Sequence, residues 1–274
     1  MGKAKSYKLD LVGVLGHPVA ENPTVVMMEA AFRELRLPFS YLAIEVLPEG
    51  LGDAIRGVRA MGFKGVNLTI PHKVEVMRHL DEVTEKASLI GAVNTVYRVG
   101  DRLVGENTDG AGFLKSLQDD GGVDPRGGSF IVLGAGGASR AICVELSLAG
   151  AARIAIVNRD EGRGRAEYIA WEPGLRLPEG FGVLVNATSV GLYPDPGKPD
   201  IDYGSVRSGM TVCDVIPNPP RSAFLREAES RGASCLDGLG MLVNQGTIGF
   251  ELWTGEKAPS AAMRAALERE FRAE

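Results

Sequence analysis

Residues 130–140 read FIVLGAGGASR, and this stretch decides the fold. Phe130–Leu133 is an apolar, β-branched run of strand type, and GAGGAS (Gly134–Ser139) turns it into a helix over Arg140–Leu148 that stops at Ala149-Gly150. Gly134 and Gly136 take the first two positions of a G-x-G-x-x-G turn. Ser139 stands at the third, where a small residue suffices for packing of helix on strand. Gly134 permits the tight turn, Gly136 lets a pyrophosphate approach the backbone, and the helix N-terminus adds N–H donors and a partial positive charge. A glycine turn alone says little, because an α/β protein can carry one that binds nothing. Here a second apolar run, Ile154–Val157, completes a strand–helix–strand unit, the context a dinucleotide site requires.

The end of that second strand reads Asn158-Arg159-Asp160. An NAD-specific site places an acidic residue there to hold the ribose 2′-hydroxyl. Arg159 suits a 2′-phosphate through charge-assisted hydrogen bonds, while Asp160 would repel one unless Arg163 and Arg165 offset it. The balance favours NADP, with use of NAD as the alternative; a solvated surface face is the plainer reading of the arginines.

Outward from this unit, strand and helix patterns alternate along the chain, as in an α/β fold. Upstream lie strands at Leu11–Leu15, Tyr41–Val46 and Gly65–Ile70, and helices at Pro23–Leu35, Leu51–Met61 and Val74–Leu80. A hairpin of Asn94–Val99 and Arg102–Gly105 turns at Gly100-Asp101. Downstream, Phe181–Asn186 and Met210–Val215 read as further parallel strands, and residues 240–271 are helical in pattern. The expected architecture is two α/β domains, the second a doubly wound Rossmann-type sheet. The break falls near Asp109–Ala111.

The chain has 274 residues, a net charge of −5 and 45% hydrophobic residues. No basic stripe is left to neutralise phosphates, which argues against nucleic-acid or membrane-surface partners. Cys143, Cys213 and Cys235 have no C-x-x-C spacing, so neither a disulfide framework nor a zinc site is expected, and a reducing cytoplasm is the simple reading. His17, His72 and His79 lack metal-ligand spacing, and His72 and His79 are expected at the surface. The N-terminus has no apolar signal-type core, and no apolar run reaches 18 residues.

Two segments of the first half carry candidate chemistry. GVNLTIPHK (Gly65–Lys73) puts Asn67, Thr69 and Lys73 at and beyond a strand end, and GENTDGAGF (Gly105–Phe113) puts Asn107, Thr108 and Asp109 at a loop-to-helix junction. Between them GAVNTV (Gly91–Val96) holds Asn94. Hydride transfer to a ketone needs a proton donor for the developing alkoxide, and the reverse needs a base. A lysine oriented by an aspartate could serve both directions. Spacing alone does not bring Lys73 to Asp109; a solvent-facing lysine and a helix-capping aspartate are the ordinary alternatives.

In these motifs the chain resembles the shikimate/quinate dehydrogenase family along nearly its full length. The resemblance is carried by GVNLTIPHK, GAVNTV, GENTDGAGF, VLGAGGASRAI, NATSVGL (Asn186–Leu192), and DGLGMLVNQG with FELWTG near the C-terminus. It implies a substrate domain of residues 1–109 completed by 239–274, and a nucleotide domain of 110–238. It places the catalytic pair on Lys73 and Asp109 and the substrate-hydroxyl ligands on Asn67, Asn94 and Gln245, with Thr69 nearby. The cofactor set becomes Gly134, Gly136, Gly137, Ala138, Ser139, Asn158, Arg159, Asp160, Thr188 and Gly238. It implies no metal, a small-molecule substrate, a monomer or homodimer, and a place in the shikimate pathway of aromatic amino acid biosynthesis.

The chain departs from the family where the substrate carboxylate is held. Asn22 and Thr24 replace a Ser-x-Ser pair, and Pro217, in DVIPNP (Asp214–Pro219), stands where a tyrosine is usual. Thr24 keeps a hydroxyl and Asn22 can donate through its amide, but Pro217 donates nothing. The expected reaction is reduction of 3-dehydroshikimate or a close cyclic polyhydroxy acid. The alternatives are quinate, an aminoshikimate or another cyclic polyol as substrate and, more remotely, a non-catalytic nucleotide-binding regulator.

Overall fold

The computed structural model describes residues 7–159 and 167–272. The chain divides into two compact units: the first runs to Thr108 and resumes over Gly246–Glu270, and the second holds Asp109–Gln245.

The first unit contains β1 (Asp10–Gly16), α1 (Thr24–Leu35), β2 (Phe39–Glu45), α2 (Leu51–Ala60), β3 (Gly65–Leu68), β4 (Glu82–Val83), α3 (Glu85–Ile90), β5 (Thr95–Val99) and β6 (Arg102–Glu106). They form one sheet in the order β2-β1-β3-β5-β6-β4. β1 pairs parallel with β2 and β3, whereas β5 runs antiparallel to β3 and closes the expected hairpin with β6. The interior strand β3 is buried at every position, so its one polar side chain, Asn67, lies inside the unit.

Two expectations fail here for physical reasons. The helix read over Val74–Leu80 is only a short 3-10 stretch, Glu75–His79, in which Val76 alone is fully buried. The stretch lacks the side-chain cap that Thr84 gives the similarly short α3 and buries a single side chain, so little repays α-helix nucleation. His72 is buried rather than exposed: its Nε2–H donates to the Val46 carbonyl at 2.7 Å, satisfying an acceptor just past the end of β2.

The second unit runs α4 (Asp109–Asp119), β7 (Ser129–Leu133), α5 (Gly137–Leu148), β8 (Arg153–Asn158), β9 (Glu167–Ala170), β10 (Leu175–Arg176), β11 (Val183–Asn186), β12 (Ile201–Asp202), β13 (Thr211–Asp214), α6 (Ala223–Ser230) and β14 (Ser234–Leu236). Its main sheet has the order β14-β13-β11-β7-β8-β9, with every pair parallel. The chain lays β7, β8 and β9 outward on one side, then returns to lay β11, β13 and β14 on the other. Strand order therefore reverses between β7 and β11, the switch point of a doubly wound sheet. Ile131 and Leu133 enter one core while Phe130 and Val132 enter the other. A strand with both faces covered must be apolar throughout, which is why FIVL shows no alternation. Cys143, Cys213 and Cys235 are free thiols.

The C-terminal helical stretch is two helices, α7 (Leu239–Thr254) and α8 (Ser260–Glu270). Gly255 adopts φ +72° and Pro259 precedes the second helix, a stop and a start in succession. Within the first unit, Phe250 of α7 stacks on Phe32 at 5.4 Å. Trp253 lies against Tyr41 at 6.1 Å and donates to Val96 O at 2.9 Å. Among the described residues no helix is long and apolar enough to cross a membrane, and no group of three or more His, Cys, Asp or Glu could hold a metal ion.

Candidate active site

The first unit builds a buried polar row on β3 and at the start of β5. Tyr41 donates its hydroxyl to Asn67 Oδ1 at 2.7 Å, and Asn67 Nδ2 donates to Asn94 O and Thr95 Oγ1 at 3.1 and 3.0 Å. Asn94 Oδ1 accepts from the Thr108 amide at 2.8 Å, and Asn94 Nδ2 donates to Thr108 Oγ1 at 3.0 Å. Both hydrogens of Asn67 are thus spent inside the protein, and what it retains for a ligand is acceptor capacity on Oδ1. Burial raises the Tyr41 phenol well above its ordinary pKa, so it stays a donor. Sequence reading missed Tyr41 as part of this row; its signal was that it is the one fully buried residue of the otherwise half-exposed strand β2.

Lys73 joins the same end of this sheet. It sits in the turn after β3, half-buried, and its carbonyl accepts from Val93 N at 2.7 Å, one residue before Asn94. Thr69 is bound through its amide to Leu15 O at 3.0 Å, and its methyl fills the space a side chain on Gly16 would need. Thr24 opens α1, buried, and Asn22 Oδ1 accepts from its amide at 3.0 Å. That bond occupies the Asn22 carbonyl, so the side chain offers its amide hydrogens outward.

Asp109 begins α4 in the second unit and is buried, one peptide bond after the Thr108 that holds Asn94. Three residues on, Gly112 meets α7: a Cβ there would lie 2.7 Å from Gln245 N. Positions i and i+3 share a helix face, so Gln245 packs on the face of α4 that carries Asp109. Gln245 itself is buried and donates from Nε2 to Leu242 O at 2.9 Å.

The glycine turn follows β7 as expected. Gly134 holds φ +96°, a conformation side-chain-bearing residues avoid, and a Cβ there would meet Thr188 Cγ2 at 2.9 Å. Gly136 and Gly137 face open space, with nothing within 4 Å of an added Cβ, so the backbone at the start of α5 can be approached closely. Ala138 lies in the first turn of α5, and Ser139 is fully buried against the sheet. Asn158 ends β8 and Arg159 is exposed just beyond it; Asp160, Arg163 and Arg165 lie outside the described residues. Thr188 follows β11, its hydroxyl donating to Asn186 Oδ1 at 2.7 Å, and Gly238 sits just ahead of α7. The strand reversal beside β7, the positive-φ glycine and the open helix start together fit a dinucleotide's pyrophosphate.

A doubly wound sheet with this turn, joined in one chain to a unit of buried amides beside a lysine, defines an NAD(P)-dependent oxidoreductase. Comparison with known proteins narrows it. The family model for the shikimate dehydrogenase substrate binding domain matches residues 14–96, and that for the shikimate 5′-dehydrogenase C-terminal domain matches residues 238–268. The shikimate dehydrogenase (NADP(+)) of Methanopyrus kandleri is 42% identical, covering 96% of each chain. Among solved structures, shikimate 5-dehydrogenase of Thermus thermophilus, in complex with NADP(H) and shikimate, is 37% identical with a TM-score of 0.86, covering 95% of this chain and 99% of that one. The ligand-free 5-ketofructose reductase of Gluconobacter sp. strain CHM43 is 45% identical with a TM-score of 0.90, covering 97% of this chain and all of the other. The chain belongs to the shikimate dehydrogenase family and is an enzyme of its NADP-dependent oxidoreductase class.

Proposed function

We propose that the protein catalyses NADP-linked, reversible reduction of a carbonyl on a small polyhydroxylated ring, with Lys73 and Asp109 as its acid/base pair. The observation that carries this reading is the bond from Val93 N to Lys73 O, which sets the lysine beside Asn94 and the buried row that leads to Asn67. Bound NADPH supplies the hydride. Asn67 accepts from a substrate hydroxyl, and Asn94, Gln245 and Thr69 bind neighbouring ones. The Lys73 ammonium donates a proton to the oxygen that becomes the alcohol, and in the reverse direction the amine takes it back. Asp109 orients the ammonium. Arg159 favours the 2′-phosphate of NADP over NAD.

Within the family the nearest reading of the substrate is 3-dehydroshikimate. Two observations favour a second, a neutral keto sugar of the 5-ketofructose kind. The groups expected to hold a carboxylate are changed in kind: Asn22 offers an amide in place of a hydroxyl, and Pro217 has no donor. The 45% identity to a 5-ketofructose reductase also extends over 97% of the chain. The ring-hydroxyl and hydride groups are kept, so the chemistry is the same on an uncharged substrate.

The test is initial-rate absorbance at 340 nm with shikimate and quinate against NADP and NAD, and with 3-dehydroshikimate and 5-ketofructose against NADPH and NADH. Turnover of shikimate with NADP assigns the acid substrate. Turnover of 5-ketofructose with weak or absent use of shikimate assigns the neutral one. Binding of NADPH with no turnover of any of these ring compounds would overturn the proposal.

A further inference from the structure

One buried carboxylate has no part in the chemistry above. Asp214 ends β13 with 2% of its surface exposed. It pairs across the sheet with Asn186, the last residue of β11. Its Oδ1 accepts from Asn186 Nδ2 and from Ile216 N, each at 3.1 Å, and its Oδ2 accepts from Ser222 Oγ at 2.5 Å. Ser222 in turn caps α6, accepting from Leu225 N at 3.3 Å. No arginine or lysine among the described residues pairs with Asp214, so the charge is held by neutral donors alone. Burial pushes its carboxyl up to about 6, and hydrogen bonds from Ser222, the Ile216 amide, Asn186 and the Val215 amide hold it from rising further.

A buried charge without a counter-ion lowers stability, so what its donors are tied to matters. The Asn186 amide that bonds Asp214 also reaches Val190 O at 3.3 Å, and its oxygen accepts from both Thr188 N and Thr188 Oγ1. Thr188 Oγ1 then accepts from Val190 N at 3.2 Å. The whole 186–190 turn therefore hangs on one asparagine whose orientation the aspartate fixes: a carboxylate accepts only, so Asn186 must present its NH2 to Asp214 and its oxygen to Thr188. The Thr188 methyl packs at the positive-φ Gly134 that opens the pyrophosphate turn. The turn also lies on the β11 side of the switch point. A dinucleotide lying across that point places its adenosine half toward β8 and its nicotinamide half toward β11 and β13.

We propose that Asp214 is a positioning residue for the nicotinamide half of the cofactor, acting through Asn186 to hold the Thr188 turn against Gly134. The proposal rests on the dinucleotide reading of this unit. It assigns a role to the aspartate of the DVIPNP segment, whose bonds run to Asn186, Ile216 and Ser222.

The experiment titrates NADPH and adenosine 2′,5′-bisphosphate into the native protein and into Asp214→Ala, following NADPH fluorescence and, for the bisphosphate, calorimetry. The expected result is that NADPH binding weakens by about tenfold, as for loss of one ordering hydrogen bond, while bisphosphate binding changes by less than about twofold. Asp214→Asn keeps an acceptor oxygen for Asn186 and is expected to restore most of the NADPH affinity. Should Asp214→Ala not fold, Asn186→Ala breaks the same chain one link nearer the turn and must show the same split. Unchanged NADPH affinity overturns the proposal, and so does equal weakening of both ligands, which is the mark of general damage to the unit. Native protein that binds neither ligand overturns the dinucleotide reading as well.

Discussion

Tyr41 and Asn67 are joined by a 2.7 Å hydrogen bond in which the phenol is donor, both side chains being buried. Because Asn67 Nδ2 is already committed to Asn94 O and Thr95 Oγ1, this bond fixes which end of the amide a ligand can meet. Tyr41→Phe removes the donor and leaves Asn67 Oδ1 short of a partner in the apo protein. The expected cost is about 1–2 kcal/mol of stability, read as a lower denaturation midpoint. It is accompanied by a higher KM for the ring substrate and an unchanged NADPH affinity. A KM that stays put would mean that Asn67 does not depend on Tyr41 for its orientation.

Lys73 is half-buried in a turn whose backbone is held by Val93. Its side chain can therefore be removed without disturbing the sheet. Lys73→Ala is expected to lower turnover by about 10²–10⁴-fold, the range for loss of a general acid/base, while NADPH still binds. Asp109→Asn should lower turnover in the same assay by a smaller factor. A Lys73→Ala protein that retains native turnover would sink the acid/base assignment. A native protein that binds NADPH but never turns over would instead point to a nucleotide-binding regulator.

The two halves of the site differed in how far the sequence exposed them. The glycine turn was legible because Gly134 must be glycine for its positive φ, Gly136 leaves the backbone open to approach, and the preceding strand carries its burial in four consecutive apolar residues. Lys73, Asn67 and Asn94 stood out in their segments as candidates, but only resemblance to a family gave them roles in one site. Their association depends on β3 lying antiparallel to β5, a pairing that residue spacing does not encode. His72 escaped because a buried histidine bonded to a backbone carbonyl has the same sequence appearance as a surface one. The Asp214–Asn186 pair escaped for a related reason: the two residues are aligned by the parallel register of β11 and β13, 28 positions apart.

The exchange at the acid-reading positions predicts a gain of function. Pro217→Tyr restores a phenol donor of the kind the family uses for a carboxylate, and Asn22→Ser exchanges an amide donor for the family's hydroxyl. A hydrogen bond to a charged group contributes about 1.5–3 kcal/mol, so kcat/KM for shikimate should rise by about ten- to a hundredfold. Activity on a neutral keto sugar should rise by much less. If shikimate turnover is the same before and after, these positions do not read the substrate's acidic end. Asn22 also accepts from Thr24 N at the start of α1, a task serine can take over, so the double variant should fold.

Asp214 gives the protein a definable pH response. Its folded-state pKa of about 6 lies above the unfolded value of 3.8, so the folded protein binds this proton more tightly. The linkage sign follows: the group imposes no cost well below pH 4, the cost grows as pH rises through the window from about 4 to 6, and above that it is fully present. A shift of about two units corresponds to about 3 kcal/mol, an upper figure for one buried carboxylate. Asp214→Asn removes the charge while keeping an oxygen for Asn186 and Ile216. It should therefore raise the denaturation midpoint at pH 7.5 and lose most of that advantage near pH 4. Equal midpoints at pH 7.5 would mean that the neutral donors around Asp214 already compensate its burial. A variant less stable than native at both pH values would mean that the Ser222 bond, which Asn must reverse, dominates the site.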